Sequence, residues 1–128
     1  MEDVVLLDTG VLFDFLADEA LAAAVETILA EGKAAVSAVT VYELLRGVAA
    51  KRQIQQRNQL LSFVHTIDLT EQIAKIAGRI YTDLKNSGSL IDNEDILIAA
   101  TSLYHDIPVF TTNEKHFRRI PRIELYGT

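Results

Sequence analysis

The chain begins with an unbroken apolar run, Val4, Val5, Leu6 and Leu7, which ends at Asp8. Such a run, with no polar position to face water, predicts a strand buried on both faces. Val11, Leu12, Phe15 and Leu16 then recur at helical spacing, and a second helix carries Leu21, Ala24, Val25, Ile28 and Leu29 with Gly32 as its stop. The alternation repeats. A strand over residues 34–38 is followed by a helix from Thr40 that buries Val41, Leu44, Leu45 and Val48, and then by a helix carrying Ile54, Leu61 and Val64. Residues 65–69 read as a third strand. Leu69, Ile73, Ile76, Ala77, Ile80 and Leu84 form the clearest amphipathic stripe, broken at Asn86, Ser87 and Gly88. Ile96, Ala99, Ala100 and Leu103 predict another helix, residues 107–111 a fourth strand, and residues 122–126 a short edge strand. Strands that alternate with helices call for a parallel sheet covered on both sides, so the expected class is α/β.

Composition narrows the chemistry. A length of 128 residues with no repeat, linker or low-complexity tract suits one domain over 1–128. There is no cysteine, so a metal would have to be held by oxygen or imidazole. The opening MEDVVLLD places acids where a secretory signal carries Lys or Arg, and no apolar run reaches the roughly 20 residues of a membrane span. A cytoplasmic protein with no membrane partner is expected. The net charge of −6 argues against nucleic acid when taken alone. The balance changes if several of the acids surround divalent cations, because the remaining charges are then nearly even.

Ligands of open parallel sheets bind outside the carboxyl ends of the strands. Asp8 follows the first strand there, Glu43 lies one turn into the helix after the second, Asp92 and Asp95 open the helix before the fourth, and Asn113 follows the fourth. Each has a plainer reading. Thr40-Val41-Tyr42-Glu43 fits a capping box, and Asp92 and Asp95 would complement a helix dipole. Asp8 is harder to explain away, since a partly desolvated carboxylate needs a partner or a cation and no Lys or Arg is near it in sequence. If Asp8, Glu43 and Asp95 meet, their repulsion destabilises the fold unless a cation offsets it, and Mg²⁺ or Mn²⁺ suits a set of hard oxygen ligands. Asp8-Thr9-Gly10 also matches the aspartic-protease loop. That chemistry needs two such loops in an all-β framework, whereas this chain has one, and it feeds a helix.

These segments resemble the PIN-domain nucleases, and within them the toxin half of VapBC toxin–antitoxin pairs. LLDTGVLFDFL resembles the family's opening strand and helix, SAVTVYELLRG its second motif, and DILIAATSLYHDIPVFTTNEKHF its third and fourth. The resemblance implies a three-layer α/β/α fold with a central parallel sheet of four or five strands, and a Mg²⁺- or Mn²⁺-dependent endoribonuclease. Asp8, Glu43 and Asp95 take the acidic positions and Thr112 is a polar residue of the pocket. The family's fourth acid often falls at or near Asn113, which here adds no charge and puts a second metal in doubt; Asp92 either supplies that charge or remains a cap. Gly10 replaces the Asn or Ser common beside the first acid.

In that reading the acids hold the ion, directly or through water, Asp95 or Glu43 positions the nucleophile, and Thr112 and Asn113 orient it. Arg46, Lys51, Arg52 and Arg57, with Lys115, His116, Arg118, Arg119 and Arg122, are candidate contacts to RNA phosphates. The plainer reading is a solvated surface, with Arg46 paired to Glu43 one turn away. Phe13 and Phe15 exceed what one helix face can hide, which points to a homodimer or a cognate antitoxin peptide as the cover. Two rivals remain: a PIN-like interaction module inactivated through Asn113, and a phospho-acceptor signalling domain with Asp68 as acceptor and Lys115 as its contact.

Overall fold

The computed structural model describes residues 3–127. Met1 and Glu2, part of the N-terminal stretch read above for a signal, and Thr128 lie outside the described residues. Four strands, β1 (Val5–Leu7), β2 (Ala34–Ser37), β3 (His65–Ile67) and β4 (Val109–Phe110), pair in the order β3-β2-β1-β4, all parallel. The predicted edge strand over 122–126 is reduced to one isolated bridge between Val109 and Leu125.

Parity along the strands sorts the side chains into two cores. Val5 and Leu7 of β1 and Ala34 and Val36 of β2 face one side, where α1 (Thr9–Leu16), α2 (Ala22–Ala30), α3 (Ala38–Leu45) and α4 (Lys51–Leu61) contribute Val11, Leu12, Val25, Ile28, Leu44 and Leu60. Leu6, Ala35 and Ile67 face the other side, against α5 (Glu71–Asn86), α6 (Asn93–His105) and α7 (Glu114–Phe117). The result is a three-layer α/β/α fold.

The predicted helices and the first four strands are present, the short α7 is an element that the periodicity did not mark, and several boundaries move. Ala38 begins α3 rather than ending β2, because the hydroxyl of Ser37 accepts the Val39 amide at 3.1 Å and starts the helix early. Thr40 therefore lies inside the first turn, and the capping box between Thr40 and Glu43 does not form. Val48 and Val64 fall beyond the helices assigned to them. β3 stops at Ile67, and Leu69 is left exposed ahead of Thr70, whose hydroxyl accepts the Ile73 amide to cap α5.

Packing predicts where the fold is fragile. Leu12 is fully buried between α1 and the sheet, so Leu12→Ala is expected to lower the urea-unfolding free energy by about 2–5 kcal/mol. Lys75→Ala, which breaks only the solvent-exposed pair with Glu71, is expected to change it by under about 0.5 kcal/mol.

Candidate active site

Asp8 stands where β1 hands over to α1, as the N-cap of that helix and almost wholly buried at 3% exposure. Both its carboxylate oxygens are engaged. Oδ1 accepts the Thr9 amide at 2.8 Å, and Oδ2 accepts the hydroxyl of Thr111, just past β4, at 2.7 Å. The same hydroxyl accepts the Asn113 amide at 2.9 Å, so Thr111 ties Asp8 to the turn into α7. Burial raises the Asp8 pKa above its usual value, and the bonds from Thr111 and Thr9 oppose that shift without cancelling it.

Glu43 projects from α3 with its side chain 14% exposed. Its Oε1 accepts the Thr9 hydroxyl at 2.6 Å, and that hydroxyl also meets Thr40 at 2.9 Å. Its Oε2 lies 3.7 Å from Arg46, whose other terminal nitrogen is 3.8 Å from Glu94. Asp95, in the first turn of α6, is pushed up to about 7, first by burial and then by repulsion from Asp8, Asp92, Glu43 and Glu94. The predicted acids from three distant segments thus share one electrostatic neighbourhood.

A model of the PIN domain matches residues 5–123. The chain belongs to the PIN domain family. It is 33% identical to Ribonuclease VapC1 of Methanocaldococcus jannaschii over 124 residues, covering 97% of this chain and 86% of that protein. It is 35% identical to Ribonuclease VapC19 of Mycobacterium tuberculosis, covering 93% and 96%. VapBC2 from Rickettsia felis, solved bound to a DNA fragment from the VapBC2 promoter, superposes with a TM-score of 0.81 at 26% identity over 95% of this chain and 96% of that one.

Around the acids of this PIN domain, several residues take roles other than those the sequence suggested. Asp92 occupies the N-cap position of α6 but makes no capping hydrogen bond, and its exposed carboxylate repels that of Asp95, helping to raise the Asp95 pKa. Asn113 likewise makes no side-chain cap to α7. Thr112 is exposed, and a Cβ on Gly10 would sit 3.4 Å from its Oγ1, so the missing side chain at Gly10 leaves that hydroxyl uncovered. The threonine that binds an acid is its neighbour Thr111. Strand parity gave the signal, since Thr111 follows buried Val109 by two positions. Glu94, also not singled out, is the acid that shares Arg46.

The basic residues divide. Arg46 joins the acidic cluster and stacks 5.5 Å over Tyr42, in keeping with the plainer reading of a pair one turn from Glu43. Arg57 donates to the Leu44 carbonyl at the end of α3 and covers the Phe13 ring. Arg119 donates to the carbonyls of Ser89 and Leu90, tethering the loop before α6, and Arg118 pairs with Glu114 at 3.5 Å. His116 buries its Nδ1 without a hydrogen-bond partner. Lys51, Arg52, Lys115 and Arg122 are exposed and have no ion-pair partner among the described residues. The signalling alternative fails on topology: Asp68 follows edge strand β3 and Lys115 follows β4 at the opposite edge, three strand spacings or about 14 Å away.

Among the described residues no group of three or more His, Cys, Asp or Glu forms a ready-made metal cage. The donor chemistry nevertheless fits a hard dication, because every candidate ligand is oxygen and the repulsion that loads Asp95 is what a positive ion would relieve. The charge also has a consequence for stability. The folded chain keeps the Asp95 proton up to about pH 7, whereas the unfolded chain releases it near 3.8. The stabilising contribution is present at low pH and is lost as pH rises through about 7. In chelator-treated protein, this part of the thermal midpoint is expected to fall as the pH is raised from about 4 to about 7, and to flatten in Asp95→Asn.

Proposed function

We propose that this PIN domain is a metal-dependent endoribonuclease, the toxin of a VapBC-type toxin–antitoxin pair, with Mg²⁺ or Mn²⁺ as its cofactor and Asp8, Glu43 and Asp95 as its ligands. The observation that carries the reading is the shared neighbourhood of these carboxylates at the carboxyl end of the sheet, where burial first and then repulsion from Asp8, Asp92, Glu43 and Glu94 push Asp95 up to about 7. Curated relatives that are named ribonucleases support it over nearly the full chain.

Hydrolysis of a phosphodiester needs an activated water and neutralisation of the phosphoryl oxygens. A bound dication supplies both by Lewis acidity. The chain's residues would hold and orient: Asp8 is locked by Thr9 and Thr111, Glu43 by Thr9, and Asp95 or Glu43 would position the nucleophile beside the ion they hold. Lys51, Arg52, Lys115 and Arg122, all exposed, with Thr112 beside the opening left by Gly10, are groups able to meet an RNA backbone; Arg46 joins them once released from Glu43. The groove of α1, α2 and α4, lined by Phe15, Leu16, Leu29, Leu60 and the largely exposed Phe63, suits the apolar anchors of an antitoxin peptide. A homodimer would cover other exposed apolar groups, such as Tyr42 and Leu69.

The test is cleavage of structured RNAs with and without Mg²⁺ or Mn²⁺. Activity that needs the metal and falls by at least about 100-fold in Asp8→Asn or Asp95→Asn is expected. Cleavage unaffected by either substitution, or none by the unaltered protein with metal, overturns the reading, and the second result favours an inactive interaction module.

A further inference from the structure

Two buried threonines on different helices meet beside Glu43. Thr9 is the first residue of α1 and Thr40 lies in the first turn of α3, and both side chains are closed off from solvent. Thr9 donates its only hydroxyl proton to Glu43 Oε1 at 2.6 Å, the length expected of a charge-assisted bond. The Thr9 oxygen must then be the acceptor in its 2.9 Å contact with Thr40, so Thr40 is the donor. The chain of protons runs one way, from Thr40 to Thr9 to Glu43. Thr27, Thr82 and Thr101 instead turn their hydroxyls to the carbonyl four residues back in their own helices. The bond made by Thr40 crosses between helices, and the relay commits one oxygen of Glu43 while leaving Oε2 to face a cation or Arg46.

We propose that Thr9 and Thr40 are positioning residues, a buried hydroxyl relay that fixes the Glu43 carboxylate for dication binding. The inference rests on the reading of Glu43 as a metal ligand. Groups that hold a ligand in place typically matter by 10–100-fold in metal affinity. Thr9→Val, which removes the donor, is expected to weaken Mn²⁺ binding by about tenfold in titration calorimetry, and Thr9→Ser to restore it to within about threefold. Thr40→Val only loosens the donor, so about threefold is expected, with recovery in Thr40→Ser. Because Thr40 acts through Thr9, the double Val variant should match Thr9→Val alone.

Mn²⁺ affinity unchanged in Thr9→Val, no recovery with serine, or fully additive losses in the double variant would overturn the relay. If Thr9→Val does not fold, as judged by circular dichroism, the Thr40 pair decides: equal affinity in Thr40→Val and Thr40→Ser overturns it. Asp95→Asn separates the two levels. Binding lost there but kept in Thr9→Val defeats the relay alone, whereas no binding by the unaltered protein defeats both the relay and the enzyme reading.

Discussion

The burial of the Asp8 carboxylate at the end of β1 is the constraint around which the rest of the site is arranged. A carboxylate removed from water is costly unless each oxygen has a donor, and here the donors come from the helix that begins beside it and from the segment that follows the strand paired with its own. Satisfying Asp8 in this way docks α1 and the end of β4 against each other. It also creates a second problem, since a fixed negative charge now faces Asp95, and the fold leaves that repulsion standing. A structure built only for stability would place an apolar group there. Retaining the repulsion makes sense where a cation is part of the working state.

The overall negative charge looked unfavourable for a nucleic-acid substrate, and the structure changes how it should be counted. Much of the acidity that matters is concentrated at one end of the sheet, where on the proposed reading it belongs to the ion rather than to the surface. The basic side chains are also fewer in effect than in number, since Arg57 and Arg119 are occupied by backbone carbonyls, Arg118 by Glu114, and Arg46 by the acids themselves. On that reading, electrostatic attraction of RNA would come from the bound cation together with the exposed basic side chains that have no ion-pair partner among the described residues, including Arg52 and Arg122 as well as Lys51 and Lys115.

The layers and the acids were legible in the residues because each has a strong local signature. A continuous apolar run marked β1 as a strand with two buried faces, the repeated alternation placed β2 after it, and the spacing from Ile73 to Leu84 marked α5. Asp8 was legible as a charge at a strand end. What the residues left open was set by tertiary registration. Ser37 and Thr40 both precede the helical pattern by a plausible distance, and only the pairing of Ser37 with Ile67, which carries β2 right up to the cap, makes the serine the start. Thr111 and Thr112 are chemically equal neighbours, and the parity of β4 decides which one turns inward. The partners of Arg46 and Arg119 were illegible for another reason: a long side chain can reach several groups, and the choice depends on which distant segments the fold brings within its span, as the loop before α6 is brought to Arg119.

The clasp made by Arg119 has a consequence for how basic residues in this fold are interpreted. Its guanidinium spans from the segment after α7 to the carbonyls of Ser89 and Leu90, directly upstream of the helix that carries Asp95. A substitution there would alter the mooring of a catalytic candidate as well as the local charge, so reduced turnover in a charge-reversal scan would not by itself separate slack in the scaffold from a lost grip on the polyanion.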